Sequence, residues 1–107
     1  MKRVASVIGI PTENFQEYAK HHSAVWPEVL HKLTECNVKN YSIFVFGELL
    51  FSYFEYVGED FDADMERMAA DPITQDWWAI QKPLQKPVET RKDGEWWHEL
   101  KEVFHLD

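Results

Sequence analysis

A histidine and a tyrosine lie four residues apart in a segment whose pattern predicts a helix. Tyr18 and His22 fall on one face with Phe15 and Ala19, because these residues follow the i, i+3, i+4, i+7 spacing. An imidazole exchanges a proton near physiological pH, so His22 is a candidate acid or base. A structural histidine satisfied by a neighbour is the alternative. His21 lies about 100° further round the helix and is expected to face solvent.

Aromatic side chains are dense in so short a chain. Five Trp, four Tyr and seven Phe make up 15% of it, and tryptophans are adjacent at Trp77 and Trp78 and again at Trp96 and Trp97. An indole pair can form a flat apolar wall that stacks on the C–H face of a sugar. Packing in the core or in a subunit interface is the alternative for each pair. Because Trp96 and Trp97 follow Gly94, we expect them in a loop that closes over a pocket.

Further polar groups lie among apolar residues of predicted strands. Tyr41 and Tyr56 offer hydroxyls on one predicted sheet surface. Glu102 alternates with apolar residues of the last predicted strand, and a buried carboxyl there is a candidate acid or base. Structural hydrogen bonds are the alternative for all three. Cys36 has no flanking His or Lys to activate its thiol.

Neither a metal site nor a cofactor is expected. His31, His98 and His105 have no ligand-like spacing, and the single cysteine can form neither an intrachain disulfide nor a cysteine-based zinc site. The chain lacks a dinucleotide-binding glycine motif, a P-loop, an H-E-x-x-H motif and a nucleophile elbow. These reaction classes are therefore not indicated.

The composition is that of one globular domain over residues 1–107. Hydrophobic residues make up 45% of the chain and charged residues 28%. Eleven basic residues against nineteen acidic ones give a net charge of -8, without a basic patch for nucleic acid or anionic membrane. No apolar run approaches the roughly 20 residues of a membrane span, and residues 3–10 are too short for a signal sequence. We expect a cytoplasmic protein.

The hydrophobic period predicts the order strand, helix, strand, strand, helix, strand. The first half is predicted to contain a strand over 3–10, a helix from Thr12, and strands over 39–46 and 49–57. The helix is expected to bend between Ser23 and Trp26 before a second part from Pro27 to about Asn37. The second half is predicted to contain a helix capped by Asp60 or Asp62, a turn at Asp71–Pro72 that leads to the first tryptophan pair, an ordered or functional loop over 83–98, and a strand over 99–106. This order predicts an α+β fold, a ferredoxin-like βαββαβ subunit with an antiparallel sheet.

A two-residue turn at Gly47 and Glu48 predicts that the sheet is apolar on both faces. Such a turn places Phe46 opposite Leu49 and Tyr41 opposite Phe54. The first face then carries Tyr41, Ile43, Val45, Leu50, Ser52, Phe54 and Tyr56, and the second carries Phe44, Phe46, Leu49, Phe51 and Tyr53. Helices can cover only one face, so we expect a second copy of the chain to cover the other.

Five segments together carry a resemblance that spans nearly the whole chain. They are Glu17–His22, Val25–Glu28, Asn40–Ile43, Asp76–Trp78 and Glu102–Phe104, and their spacing resembles the L-rhamnose mutarotase family. The resemblance implies a homodimer whose subunits form a dimeric α/β barrel. It further implies that His22 is the proton donor and that Tyr18, Tyr41, Trp77 and Trp78 contact the sugar.

The resemblance implies a cofactor-independent isomerase that interconverts the α and β pyranose anomers of a 6-deoxy sugar by acid/base ring opening. Residues 83–98 align only loosely with the family, so L-rhamnose and L-fucose are both open as substrates. In that reaction His22 is expected to be the acid at the ring oxygen, and Glu102, a tyrosine or water is the candidate base that takes the proton of the anomeric hydroxyl. Two alternatives remain, a haem-binding monooxygenase built on a dimeric α/β barrel and a non-catalytic sugar-binding module.

Overall fold

The computed structural model describes residues 1–107 and has one sheet with helices on one of its faces. Its elements are β1 (Lys2–Gly9), α1 (Thr12–His22), α2 (Pro27–Glu35), β2 (Val38–Phe46), β3 (Leu49–Tyr56), α3 (Phe61–Ala70), α4 (Pro72–Gln81), a 3-10 turn (Lys82–Leu84) and β4 (His98–Glu99). The sheet order is β2-β3-β1-β4, and every strand pair is antiparallel. The predicted ferredoxin-like α+β fold is confirmed, with each crossover divided into two helices.

The predicted hairpin turn is confirmed, and the strand that enters it contains a bulge. Phe46 pairs with Leu49 across the turn, where Gly47 adopts a left-handed φ of 58°. Asn40 and Tyr41 both lie opposite Phe54, and Asn40 has a φ of 51°. The extra residue reverses the direction of side chains beyond it, which turns Val38 into the core on the helix side of the sheet.

The helices begin and end at residues that satisfy their backbone groups. Pro27 occupies the first turn of α2, where its missing N–H costs nothing. Asp60 and Asp71 cap α3 and α4 by accepting hydrogen bonds from backbone N–H groups. Thr12 is the first residue of α1, as predicted, and the Glu48 carboxylate accepts from its N–H at 2.7 Å and from its hydroxyl at 3.0 Å.

The outer face of the sheet, formed by the second predicted face, is only partly covered. Phe46 is 79% exposed, and Phe44 and Leu49 are exposed beside it. The predicted strand over 99–106 is wrong in length, since β4 ends at Glu99 and only one further backbone bond, from Leu100 N to Ala5 O at 2.7 Å, extends it. Regular pairing ends there, and the large apolar side chains that follow are exposed. These exposed side chains are Val103, Phe104 and Leu106.

A buried carboxylate joins α3 to the end of β3. The Asp64 side chain accepts hydrogen bonds from the Tyr56 hydroxyl, from Asn37 Nδ2 at 2.9 Å, and from Arg67 Nη2 at 2.7 Å. These hydrogen bonds, with that of Tyr56 first, lower the pKa of Asp64 to about 2. Sequence periodicity missed this cluster, because an acidic residue in the first turn of a helix is typical of an exposed position.

We predict that Asp64→Ala lowers the midpoint of thermal unfolding by about 5–10 °C, because it leaves buried donors unpaired. The exposed residue Asp62, in the same turn, supplies the control variant Asp62→Ala, for which we expect a change of at most about 2 °C. Because the pKa of Asp64 is lower in the folded state, wild type should lose stability as the pH falls from about 4 to about 2. Asp64→Asn should lack that part of the acid dependence, and an unchanged dependence would contradict the assignment.

Candidate active site

A cavity of about 640 Å³ lies between the helices and the helix-side face of the sheet. Its volume is within the range typical of small-molecule sites. All five residues that the sequence analysis assigned to a sugar site line this cavity: Tyr18, His22, Tyr41, Trp77 and Trp78. The lining is mostly apolar, so the few polar atoms along it determine how a ligand is oriented.

His22 is held by its own helix in a defined tautomer. Its Nδ1 lies 2.8 Å from the carbonyl oxygen of Tyr18, one turn earlier in α1. A carbonyl oxygen can only accept, so Nδ1 carries the hydrogen and Nε2 has the lone pair. Burial lowers the pKa of His22, and the hydrogen bond to Tyr18 offsets this only in part. The resting imidazole is therefore neutral, with Nε2 as its proton acceptor.

Aromatic rings enclose the imidazole on two sides. The ring of Tyr18 stacks on it with centroids 4.1 Å apart, and Trp77 meets it edge to face at 5.4 Å. Trp77 is itself buried and packs against Trp26, with ring centroids 5.2 Å apart. Rings fixed in this way restrict rotation of the imidazole and exclude water from its faces.

The two predicted tryptophans of α4 have different surroundings. Trp77 adjoins His22, whereas Trp78 is half-buried and packs against the core cluster that contains Cys36 and Met68. Lys82 Nζ lies 5.6 Å from the centre of the Trp78 ring. Because both indoles also line the cavity, the doublet serves core packing and the cavity wall together.

Two tyrosine hydroxyls supply neutral donors to the cavity. Tyr18 is 3% exposed, and burial is the main cause that raises its pKa, with Tyr41 nearby as a second cause. Desolvation also raises the pKa of Tyr41 to about 12, although the residue as a whole is 42% exposed. Both phenols therefore stay protonated at neutral pH and can donate hydrogen bonds to a ligand.

Both ends of the segment from Gln85 to Trp97, which lies in the predicted ordered or functional loop, line one side of the cavity. Backbone bonds of 2.8 Å in both directions between Gly9 and Lys86 attach it to the end of β1. Near its other end, Glu95 accepts hydrogen bonds from Lys92 N and His98 Nδ1. Trp96 and Trp97 line the cavity as expected.

Two other candidates lie outside the cavity. Glu102 is wrong as a buried acid or base within this chain, because it lies on the exposed C-terminal segment and accepts a hydrogen bond from Arg3 at 3.1 Å. The hydroxyl of Tyr56 bonds to Asp64 and does not reach the lining. The strand pattern could not show either result. The position of Glu102 depends on where the chain runs after Trp97, and the position of the Tyr56 hydroxyl depends on its hydrogen bond to Asp64.

The cavity also contains polar residues that the sequence analysis missed. Ser6 and Ser52 are paired across β1 and β3, are buried, and form part of the cavity floor. Gln81 and Gln85 reach the cavity from the end of α4 and from the segment that follows it. Each serine interrupts an otherwise apolar strand, and this pattern could have indicated a polar cavity floor, because a polar side chain that points inward needs a polar partner.

Comparisons with known proteins agree on one family. The sequence model of L-rhamnose mutarotase matches residues 3–106. The chain is 34% identical to the L-rhamnose mutarotase of Oceanobacillus iheyensis and 36% identical to that of Bacillus subtilis, covering all of both chains in each case. The crystal structure of an L-rhamnose mutarotase from Formosa agariphila is similar in fold, with a TM-score of 0.78 at 23% identity over the whole of both chains.

We predict that the imidazole of His22 is in the Nδ1–H tautomer at pH 7 and has a pKa below its ordinary value of about 6.5. Long-range ¹H–¹⁵N correlation spectra of ring-labelled protein distinguish the two nitrogens directly. The spectrum of His22→Gln identifies the signal by its absence. A hydrogen on Nε2 in the neutral form, or titration at or above the ordinary value, would contradict the geometry.

Proposed function

The chain belongs to the L-rhamnose mutarotase family, and from that premise we propose that it is an isomerase interconverting the α and β pyranose anomers of L-rhamnose. The observation that carries the proposal is the juxtaposition of an unprotonated Nε2 of His22 with the Tyr18 ring and the Trp77 indole at one cavity wall. A proton acceptor, neutral phenol donors and an apolar wall are what anomer exchange requires of a protein.

Anomer exchange breaks and remakes one ring bond without oxidation. The anomeric hydroxyl loses its proton, the bond from C1 to the ring oxygen breaks, and the ring oxygen gains a proton. The open-chain aldehyde rotates about the C1–C2 bond and closes from its other face. Such a reaction requires a proton acceptor within reach of the anomeric oxygen and a proton donor within reach of the ring oxygen, each contributing typically about 10²–10⁴ in rate.

We propose His22 as the catalytic group that exchanges the proton of the anomeric oxygen. Because the resting imidazole is neutral with Nδ1 bonded to Tyr18, it first accepts that proton at Nε2. The imidazolium then donates it to the carbonyl oxygen when the ring closes. This assignment differs from the expectation that His22 is the acid at the ring oxygen, because here His22 donates its proton to the anomeric oxygen during ring closure.

The remaining lining suits a deoxy sugar. The rings of Trp77 and Trp78 can pack against the methyl group and the C–H face, as indoles do in sugar sites. The hydroxyls of Tyr18 and Tyr41 can donate to sugar oxygens, and Ser6 can bond to a hydroxyl at the cavity floor. The preference for L-rhamnose over L-fucose is proposed from the family, because both sugars carry the same methyl group.

We further propose that the chain works as a homodimer joined through the outer face of the sheet. Phe44, Phe46 and Leu49 are exposed together on this face, where Phe46 pairs with Leu49, and Val103 and Phe104 of the C-terminal segment are exposed as well. Apolar patches of this kind mark subunit interfaces in soluble proteins. None of the helices is long and apolar enough to cross a membrane. We propose a cytoplasmic location from the single buried, reduced cysteine.

We predict that wild type accelerates exchange between the anomeric protons of L-rhamnose, and that His22→Ala reduces the enzyme-dependent rate about 10²–10⁴-fold. Saturation transfer between the two anomeric signals measures this rate directly. His31→Ala is the matched control, because His31 is an exposed histidine of α2 outside the cavity. Its rate should equal that of wild type.

The dependence of kcat/KM on pH below neutrality tests the direction of proton transfer. Because His22 must be neutral to accept a proton, kcat/KM should fall as the pH drops through its lowered pKa. A rate that rises toward acid pH would contradict the acceptor role. Binding of L-rhamnose without faster anomer exchange would instead identify a sugar-binding protein. Faster anomer exchange of L-fucose but not of L-rhamnose would show that L-fucose is the substrate.

We predict that Phe46→Glu converts a dimeric wild type to monomer, because a carboxylate replaces a large apolar side chain at the proposed interface. Sedimentation velocity at micromolar concentration measures the change. Ile80→Glu is the control, since Ile80 is an exposed apolar residue of α4 away from the outer face. A monomeric wild type, or an unchanged dimer in Phe46→Glu, would contradict the proposal.

A further inference from the structure

Three side chains from two parts of the chain form a hydrogen-bonded series that ends at the cavity. Trp96 Nε1 donates to Gln85 Oε1 at 2.8 Å. Gln85 Nε2 in turn donates to the hydroxyl oxygen of Tyr18 at 3.4 Å. Tyr18 is the residue whose ring stacks on His22 and whose carbonyl oxygen fixes its tautomer. We call the three side chains Trp96, Gln85 and Tyr18 the indole relay.

The chemistry of the indole nitrogen determines the direction of the whole relay. An indole N–H can donate but cannot accept, so the end of the Gln85 amide that faces Trp96 must be the oxygen. The amide nitrogen therefore faces Tyr18, and its N–H occupies a lone pair of the phenol oxygen. Because that oxygen already accepts from Gln85, the phenol hydrogen is free to be donated to a ligand in the cavity.

We propose that Trp96 and Gln85 are positioning residues that hold the Tyr18 hydroxyl as the proton donor to the ring oxygen of the sugar. The inference rests on the proposed anomer exchange and extends it, because it assigns the second proton-transfer group and the residues that orient it. It also gives a function to the segment after α4, where Gln85 and Trp96 lie eleven residues apart.

The proposed step conserves atoms and charge. As the ring opens, the anomeric O–H proton passes to His22 Nε2 and the phenol proton of Tyr18 passes to the ring oxygen. The bond from C1 to the ring oxygen breaks, and its electron pair stays on that oxygen while C1 becomes an aldehyde carbon. The site then holds an imidazolium stacked on a phenolate, and ring closure returns both protons.

The surroundings of Tyr18 support this role. Burial and the nearby Tyr41 raise its pKa, which keeps the phenol protonated in the resting site and also makes it a weaker acid, and the Gln85 donor opposes that rise. The same N–H stabilises negative charge that develops on the phenol oxygen as its proton leaves. The 3.4 Å distance is long for a hydrogen bond, and catalytic hydrogen bonds often tighten once the substrate is bound.

Substitutions of Gln85 test the direction of the relay. Gln85→Glu keeps the shape but removes the amide donor, so its carboxylate accepts from both Trp96 and Tyr18 and turns the phenol hydrogen away from the sugar. We expect kcat to fall about 100-fold in Gln85→Glu and about 10-fold in Gln85→Leu, with KM for L-rhamnose changed less than 3-fold. Trp96→Phe, which leaves the amide free to flip, should lower kcat about 10-fold.

A double-mutant cycle shows whether these effects pass through Tyr18. In a Tyr18→Phe background, Gln85→Glu and Trp96→Phe should each change kcat less than 2-fold, because there is no hydroxyl left to orient. Trp97→Phe is the matched control, since Trp97 also lines the cavity and makes no hydrogen bond to Gln85. Its effect on kcat should be the same in both backgrounds.

The relay fails if wild type exchanges anomers while both Gln85 variants keep kcat within 2-fold, or if their effects are equally large in the Tyr18→Phe background. A wild type without anomer exchange would instead remove the proposed function. A measurement independent of activity is the indole ¹H–¹⁵N signal of Trp96, which should shift in Gln85→Leu while that of Trp97 stays. An unmoved Trp96 signal in a variant with wild-type circular dichroism would also overturn the relay.

Discussion

The chemistry of the cavity depends on one hydrogen bond within a single helical turn, from His22 Nδ1 to the carbonyl oxygen of Tyr18. The bond fixes which imidazole nitrogen carries the hydrogen, and it brings the Tyr18 ring into a stack with the imidazole. Both results require the four-residue spacing of an α-helix, because that spacing places side chains on one face. Trp77 then restricts the imidazole from α4, so an element distant in sequence completes an arrangement that α1 begins.

Local patterns predicted most of the fold. The two-residue hairpin, the face of α1 that carries Tyr18 and His22, and the proline at the start of α2 each follow from a few neighbouring residues, and each is confirmed. The bulge at Asn40 was missed because no glycine marks it, and asparagine tolerates a positive φ without a clear signal. The strand over 99–106 was wrong in length because alternation describes what a segment could bury, whereas Val103, Phe104 and Leu106 are exposed in this chain.

The predicted site residues all reach the cavity, while the polar groups that orient them were not predictable. Gln85 lies in a segment rich in proline and charge, where a polar residue is typical of a solvent-exposed loop. Its role depends on the position of Trp96, and that position depends on the bonds between Gly9 and Lys86. Glu102 shows the opposite case, since an inward position in a strand pattern became an exposed ion pair with Arg3.

The Gly9–Lys86 attachment gives the segment after α4 an anchor on β1, apart from the contact that holds the start of α1. Helix α1, whose first turn is held by Glu48 on the hairpin, carries the imidazole, whereas the segment after Lys86 carries the opposite wall. Residues 89–94 between that attachment and Trp96 are exposed. Insertions or deletions there can therefore reshape the wall that carries Trp96 during divergence while leaving the imidazole in register.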